Sequence, residues 1–333
     1  VNLGVALYEY GDVNGAKEMY EKAIQLGGGS GLHVRIALLM KPIMSSLDNI
    51  QLIRKQFQEN IQLLISKTTT TNNNTYFINE PVKDIERLHF YLVYHGYNEY
   101  HNQVMMATLY LSSTPHLKWV SPWLINNKDN FINKKIRVGF VSKFFVVNHA
   151  HGQLLEGIIA YLPKDIFEII ICAIPNPQQI LLPSIRYTAN DIILLSFNLK
   201  EARIQMSKLK LDILIFADMM SEPLTYFLGL GSRIASVQCL FWGNPLTSGS
   251  ENIDYFISGE HMEPNDNNDT HYSEQVVRLI GQGIWYDRVP VPIPTLPYNT
   301  TYGQPIMIPS SSSSSSPSSS SNDSIHNEWK WLY

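Results

Sequence analysis

The chain contains only two cysteines, no long apolar run and no excess of positive charge. Cys172 and Cys239 both lie inside apolar, strand-like segments, which favours two buried reduced thiols over a disulfide or a metal pair. The apolar runs fall short of the roughly 18 residues that a membrane-spanning helix needs, and no basic and apolar leader precedes Asn2. We therefore predict no membrane partner and a cytoplasmic or nuclear location.

Charge is sparse as well. Charged residues make up 16% of the 333 residues and the formal net charge is −4. The chain thus lacks the basic surface that nucleic acid requires, and we predict no nucleic-acid partner. Hydrophobic residues make up 44%, enough for a sizeable core, and the length allows about two domains.

Residues 1–30 are predicted to form a helical hairpin. Gly4 and Ala16 are small residues at the point where two helices would cross, and Gly11-Asp12 would form the turn. The pattern resembles a tetratricopeptide repeat, and an ordinary amphipathic hairpin is the alternative. Because one repeat cannot bury its own apolar face, we expect further repeats before Val1.

Residues 31–120 are predicted to be a helical linker region. The glycines at 27–31 indicate a linker, and the Ser45-x-x-Asp48 capping box opens a helix. The pattern from 85 to 111 is helical again. Residues 67–76, rich in Thr and Asn, predict a disordered insertion.

From residue 133 to 290 the pattern changes, and apolar strands alternate with helices. Strands are predicted at 136–142, 167–173, 192–195, 211–216, 237–242, 253–257 and 276–279. Helices are predicted at 152–161, 199–208 and 223–230. This alternation is typical of a parallel, doubly wound α/β sheet. Residues 291–333, rich in Pro and Ser, predict a disordered tail.

The loop after strand 237–242 is a candidate ligand site, because open α/β sheets bind ligands outside the carboxyl ends of their strands. Gly243 permits close backbone approach, and Pro245 fixes the backbone beside Asn244. Thr247 offers a hydroxyl to a sugar or phosphate. A tight loop without a ligand is the alternative.

A second candidate site lies at Asn148, His149 and His151, just after the first predicted sheet strand. These residues precede or open a helix, and a helix N-terminus favours an anion. A neutral imidazole can accept a proton from a hydroxyl near pH 7. A solvated histidine without a role and a His-x-His metal site are the alternatives.

The segment FWGNPLTSG…IDYFIS at 241–258 resembles the WLGYPGTTG…IDY segment of the O-GlcNAc transferase and SPINDLY family, glycosyltransferase family 41. The strings HYSE at 271–274 and VRL at 277–279 are similar to the family's YSE…RL segment. Several motifs in the same order make this resemblance specific.

The resemblance implies a fold and an activity. The fold is a tetratricopeptide-type helical region followed by one Rossmann-like lobe of a glycosyltransferase-B architecture, in which two lobes enclose the donor. Family members transfer GlcNAc from UDP-GlcNAc, or fucose from GDP-fucose, to Ser or Thr of cytosolic and nuclear proteins. The implied partners are protein substrates, bound through the repeats, and a nucleotide sugar, with no cofactor and no metal.

The resemblance also implies roles for two histidines. His149 matches the active-site histidine of the family's NHP-type motif, with Ala150 and His151 in place of the Pro and Thr that follow. His95 matches a family histidine that reaches the catalytic crevice, by a shorter His-Gly pattern. A purely structural role for His95 is the alternative.

Two loops depart from the family pattern. Asn244 stands between the matching Gly243 and Pro245, where the family more often has Tyr or His. After strand 211–216, where the family has a Gly-His-Thr or Gly-Tyr-Thr string, this chain has Asp218-Met219-Met220-Ser221. We predict that Asp218 and Glu222 form a solvated acidic rim.

The family's second lobe, which holds the nucleotide and the leaving group, has no counterpart in the sequence. We therefore expect a truncated O-GlcNAc transferase-like protein that is inactive as it stands. Two alternatives are a non-catalytic scaffold that binds partner proteins and a metal-dependent hydrolase that uses His149 and His151.

Overall fold

A computed structural model of the protein describes residues 1–69, 77–86, 88–126, 134–147, 149–176, 180–264 and 269–284. The predicted tail at 291–333 lies outside the described residues. So does the predicted insertion, except for its first three residues, which end a long helix. The described part of the chain contains no helix that is both long enough and apolar enough to cross a membrane.

The N-terminal part of the chain is helical. Its α-helices are α1 (Asn2–Glu9), α2 (Val13–Gln25), α3 (Gly31–Ala37), α4 (Leu47–Thr69), α5 (Pro81–Ile85), α6 (Tyr100–Ser113) and α7 (Pro122–Asn126). Its 3-10 helices are Phe90–His95 and Pro115–Leu117.

Helices α1 and α2 form the predicted hairpin. A Cβ on Gly4 would lie 2.7 Å from the ring of Tyr20, so glycine allows the two helices to approach closely. The turn ends at Asp12, whose Oδ1 accepts a hydrogen bond of 2.9 Å from the backbone N–H of Gly15 and caps α2.

The glycine-rich linker lies between α2 and α3 as predicted, with Gly31 already the first residue of α3. Two other local predictions are wrong. The backbone N–H of Asn49 donates to Oγ of Ser46 at 3.1 Å, so Ser46, not Ser45, caps α4. The helical segment predicted over 85–111 is interrupted at Gly96, whose φ of +69° ends the 3-10 helix before α6 begins.

The second part of the chain alternates strands and helices. The strands are β1 (Trp119–Val120), β2 (Ile136–Ser142), β3 (Phe167–Ala173), β4 (Asp191–Leu194), β5 (Ile213–Phe216), β6 (Ser232–Arg233), β7 (Val237–Phe241), β8 (Tyr255–Gly259) and β9 (Gln275–Leu279). The helices are α8 (Ala150–Tyr161), α9 (Pro183–Thr188), α10 (Leu199–Lys208) and α11 (Pro223–Gly231).

Seven of the strands form one sheet in the order β4-β3-β2-β5-β7-β8-β9, and every pairing is parallel. Strands β1 and β6 form a separate parallel pair. From β2 the chain moves outward through β3 and β4, then returns to the other side of β2 with β5. The sheet therefore has a topological switch point between β2 and β5.

Helices cover both faces of this sheet. Along β3, Ile169 and Ile171 belong to one buried apolar cluster, whereas Ile170 and Cys172 belong to another. Helices α8 and α9 pack on the first cluster, and α10, α11, α4 and α6 pack on the second. Burial on both faces explains why the strands are continuous apolar runs, and the predicted α/β class with a Rossmann-like lobe is confirmed.

Candidate active site

The carboxyl ends of β2 and β5 lie side by side at the switch point. Ser142 ends β2 and Phe216 ends β5, and Val141 pairs with Phe216 in the register of the two strands. The loop after β2 leads to α8, and the loop after β5 leads to α11. In open α/β sheets this crevice is where ligands bind.

A buried carboxylate joins these two loops. Asp218 is fully buried, and its Oδ2 accepts hydrogen bonds of 3.0 Å from Oγ of Ser142 and from the backbone N–H of Lys143. Oγ of Ser142 in turn accepts from the N–H of Phe144 at 2.8 Å. Oδ1 of Asp218 has no hydrogen-bond partner among the described residues.

The predicted acidic rim is wrong, because Asp218 and Glu222 are both buried beneath the crevice. Glu222 caps α11 by accepting a hydrogen bond of 2.8 Å from the N–H of Thr225. Burial, and next the charge of Glu222, raise the pKa of Asp218 to about 7. Burial also raises the pKa of Glu222. The short β5–α11 connection packs inward, as the full burial of Met219 and Met220 shows.

His149 and His151 lie together at the start of α8. The ring of His149 stacks on Phe144, with centroids 4.1 Å apart and planes 8° apart. Its centroid is 5.2 Å from that of His151. Nε2 of His151 lies 3.4 Å from Oγ of Ser221, in the loop after β5. The histidine pair therefore lines the same crevice as the β5 loop.

The surroundings of both imidazoles favour the neutral form. Burial lowers the pKa of His149, and burial together with the charge of His149 lowers the pKa of His151 to about 4. Nδ1 of each ring is buried and has no hydrogen-bond partner in the described part of the chain. A neutral imidazole of this kind can accept a proton from a hydroxyl.

The loop after β7 reaches the histidine pair at Gly243. A Cβ on Gly243 would lie 3.3 Å from the carbonyl oxygen of Ala217, 3.5 Å from Cδ1 of Leu154 and 3.6 Å from Cδ2 of His151. The predicted site residues His149, His151 and Gly243 are thus brought together. Asn148, the remaining residue of the first predicted motif, lies outside the described residues.

Asn244 and Pro245 follow at the edge of the crevice. Oδ1 of Asn244 accepts a hydrogen bond of 3.2 Å from the N–H of Leu246, which fixes the side chain in a turn. Its Nδ2 is buried and unpaired with any described residue, as is Nε1 of Trp242. Pro245 is exposed.

Five buried polar atoms without partners therefore follow β2, β5 and β7, all at their carboxyl ends. They are Nδ1 of His149, Nδ1 of His151, Oδ1 of Asp218, Nε1 of Trp242 and Nδ2 of Asn244. A buried polar atom without a partner destabilises the fold by roughly 1–3 kcal/mol. Unpaired buried atoms also occur elsewhere in the described residues, for example Nε of Arg137 and the hydroxyl of Ser258, so the five alone do not identify a ligand site.

Thr247 supports the loop instead of facing the crevice. It is buried, and its hydroxyl donates to Oε2 of Glu274 at 2.6 Å while accepting from the N–H of Ser273 at 2.9 Å. The N–H of Ser248 donates to Oε1 of Glu274 at 2.8 Å, and its hydroxyl donates to the same oxygen. The threonine hydroxyl predicted to bind a sugar is already engaged.

His95 lies at the end of the 3-10 helix Phe90–His95 and is buried. Burial, and next the charge of Arg54, lower its pKa. Among the described residues, no hydrogen bond or ring contact joins His95 to His149, to His151 or to the loop after β7. Its assignment to the catalytic crevice stays a prediction.

The sequence analysis did not identify Lys143, Phe144, Ser221 or Trp242 as site residues. The first three directly follow or lie close after a predicted strand, and Trp242 is the last residue of one. Their position near the end of a strand indicated that they could lie at the crevice. It does not show which of their side chains face it. In the described part of the chain, no group of three His, Cys, Asp or Glu side chains is placed to hold a metal ion.

Comparisons with known proteins support the fold. No family model and no curated protein matches the sequence. Among solved structures, the chain is similar to a mutant of the O-GlcNAc transferase of Thermobaculum terrenum, with a TM-score of 0.56 and 16% identity. The similarity covers 85% of this chain and 50% of that chain, so this chain spans about half of that protein's length. A likeness at this identity establishes the fold alone.

Proposed function

We propose that the chain is the nucleotide-sugar-facing lobe of a protein O-glycosyltransferase. The fold is similar to that of an O-GlcNAc transferase, and the histidine pair, Asp218 and the Gly243–Asn244 turn converge at the switch point of its sheet. The observation that carries the proposal is the approach of Ser221 and Gly243, from the loops after β5 and β7, to His151 in the histidine pair. Sugar hydroxyls both donate and accept, so they suit a site lined by imidazoles and a serine hydroxyl.

The proposed reaction is a direct displacement at the anomeric carbon. The oxygen of an acceptor Ser or Thr bonds to that carbon, while the bond from the carbon to the diphosphate oxygen breaks. The proton of the hydroxyl passes to a neutral imidazole, for which His149 is the candidate. Asn244 and the close approach at Gly243 position the sugar.

The remaining assignments are also proposals. The donor is UDP-GlcNAc or GDP-fucose, the acceptors are proteins that reach the crevice past the helical N-terminal part, and the protein works in the cytoplasm or nucleus. The α1–α2 hairpin supports a tetratricopeptide-type array, because its crossing at Gly4 leaves apolar surface exposed at Leu3.

Donor binding tests the proposal first, because a lobe that faces the sugar can contact it without turning it over. We expect millimolar UDP-GlcNAc or GDP-fucose to shift the nuclear magnetic resonance signals of the His149 and His151 rings. The exposed His101 on α6 is the internal control and its signals are expected to stay in place. The absence of a shift at both site histidines with both donors would contradict the proposal.

Transfer is the second test. Where the chain, alone or as part of a longer protein, transfers radiolabelled sugar, we expect His149→Ala to lower kcat/KM at least ~100-fold. The matched variant His101→Ala should retain activity. Equal activity of the His149→Ala variant and the wild type would remove His149 from the site.

A non-catalytic scaffold is the second candidate. The engagement of Thr247 and Ser248 by Glu274 favours it, because these two hydroxyls of the loop after β7 are not available to a sugar. A scaffold would bind partner proteins while neither donor shifts the signals of the site histidines.

A further inference from the structure

A second concavity lies where the helical N-terminal part meets the loop after β5. Its volume is about 300 Å³, at the lower end of the range for ligand pockets. Its walls include the rings of Tyr8, Tyr20, Phe90 and Tyr91, together with Leu39 and Leu88. We call it the aromatic pocket, because four rings from three places in the sequence line it.

Among the described residues that line the aromatic pocket, the two charged side chains, Arg35 and Glu86, pair with each other. Arg35 lies in its wall, but Nε donates to the carbonyl oxygen of Asp84 at 2.7 Å and Nη2 to that of Lys83 at 3.0 Å. Its Nη1 donates to Oε2 of Glu86 at 2.5 Å, in an ion pair. The hydroxyl of Tyr8 donates to the carbonyl oxygen of Met40 at 2.9 Å. A neutral, apolar group is therefore the suitable occupant.

The aromatic pocket adjoins the candidate active site through Ser221. Met220, Ser221 and Pro223 form its wall on the side of the sheet. Oγ of Ser221 lies 3.4 Å from Nε2 of His151. A polypeptide with a hydroxyl at the histidine pair would thus pass the pocket within a few residues, since an extended chain advances about 3.3 Å per residue.

We propose that the aromatic pocket binds an aromatic side chain of the acceptor polypeptide and so selects acceptors with such a residue near the modified Ser or Thr. Ring-lined pockets stabilise an inserted ring through buried area and edge-to-face contacts. The inference rests on the proposed function, because it takes the histidine pair as the place where the acceptor hydroxyl lies.

The test uses a panel of fluorescein-labelled, Gly- and Ala-rich peptides with one central Ser. A single Phe is moved from five residues before the Ser to five residues after it. Binding to the full chain is measured by fluorescence polarisation without any sugar donor. We expect at least one Phe position to bind about tenfold or more tighter than the peptide without Phe, from burial of the ring.

Variants locate the binding. Leu88→Trp fills the pocket and is expected to abolish the gain from Phe, whereas the same change at the exposed Leu52 on α4 should preserve it. Leu39→Trp is a second filling variant, for use if Leu88→Trp lowers the melting temperature. A gain that survives in both folded filling variants would overturn the inference.

The outcomes separate this inference from the proposed function. Transfer of sugar to peptides without any preference for Phe would overturn the aromatic pocket and leave the glycosyltransferase intact. A pocket-dependent preference for Phe without any donor binding would support the pocket and contradict the glycosyltransferase. If N-acetyl-phenylalanine amide binds as tightly as the best peptide, the pocket serves a free aromatic molecule, and the polypeptide proposal fails.

Discussion

Asp218 shows what a single residue contributes to this site. In the sequence it stands four residues before Glu222, which is typical of a solvated acidic pair. In the structure its partners are Ser142 and Lys143, and 75 residues separate Lys143 from Asp218. The spacing of nearby residues does not show a contact between residues so far apart in sequence, so the burial of the Asp218 carboxyl was not predictable from sequence.

The raised pKa of Asp218 predicts a pH-dependent contribution to stability. Its pKa rises from 3.8 to about 7 on folding. Between these values the folded chain holds a proton that the unfolded chain releases, so this contribution is present below pH 4 and is lost as the pH rises to 7. Asp218→Asn removes the titrating group. We expect the free energy of unfolding of the wild type minus that of the variant to fall by up to ~1.4 kcal/mol per pH unit across this window.

Urea unfolding at pH 4.5 to 8 measures this difference directly. The buried histidines, whose pKa values are lowered, destabilise the folded chain as the pH falls below 6.5. Both proteins contain these histidines, so their contribution cancels in the difference between the two free energies of unfolding. The exposed Asp48, changed to Asn, serves as the control. A difference for Asp218→Asn that stays constant with pH would show that the carboxyl is ionised in the folded chain throughout.

At the scale of elements, the presence of each sheet strand was predicted more accurately than the residue at which it begins. Strands β2 and β3 match the predicted residues 136–142 and 167–173 in full. Strand β8 begins two residues later than predicted, and Asp254, directly before it, accepts a hydrogen bond from the N–H of Gln238 at 2.8 Å. Asp212 does the same before β5, accepting from the N–H of Arg137 at 2.8 Å.

These two aspartates mark the points where the strands begin. Each lies directly before an apolar run, and its carboxylate accepts a hydrogen bond from an N–H of the neighbouring strand while its own backbone also bonds to the strands on either side. A pattern of apolar residues predicts burial but not hydrogen bonding, so it does not show the exact residue at which a strand begins.

Glu274 holds the loop after β7 and predicts how that element responds to mutation. Its two oxygens accept from the hydroxyl of Thr247 and from the N–H and hydroxyl of Ser248. Glu274→Ala leaves buried donors unpaired, so we expect a loss of roughly 2–3 kcal/mol in the free energy of unfolding. Hydrogen exchange at 246–250 should accelerate as well.

The control for this change is Glu251→Ala, at an exposed position close to the same loop. It is expected to alter stability by no more than ~0.5 kcal/mol. If the two variants unfold at the same urea concentration, Glu274 does not support the loop.

At the scale of the whole molecule, the helical N-terminal part and the sheet pack against each other through contacts between distant residues. Gly249, after β7, meets the backbone of Gln103 on α6. Arg203 on α10 is buried and donates to the carbonyl oxygens of His116 and Leu117 at 2.9 and 2.7 Å. The sequence identified both parts but not this packing, since each contact joins segments that look independent along the chain.

Gly249→Ala tests that packing. Gly249 has a φ of +67°, and a Cβ there would lie 2.5 Å from the carbonyl carbon of Gln103. The variant combines backbone strain with a clash against α6, so we expect a loss of more than ~3 kcal/mol in urea unfolding. Gly11→Ala is the matched control, because Gly11 has a φ of +92° and nothing within 4 Å of the added Cβ.

Gly11→Ala should cost only about 1–2 kcal/mol from backbone strain. If both variants lose the same free energy of unfolding, α6 moves aside without destabilising the chain, and the two parts of the molecule pack loosely.

The order of strands also has a consequence for biosynthesis. Strand β2 leaves the ribosome well before β5, the strand it pairs with towards the centre of the sheet. Glu274, which holds the loop after β7, is synthesised later still. The sheet cannot form until strands that are distant in sequence have been synthesised. This slows folding and leaves apolar strands exposed until then. Both walls of the crevice therefore exist only near the end of translation of this region, and a stalled or shortened product would display an open sheet edge to chaperones.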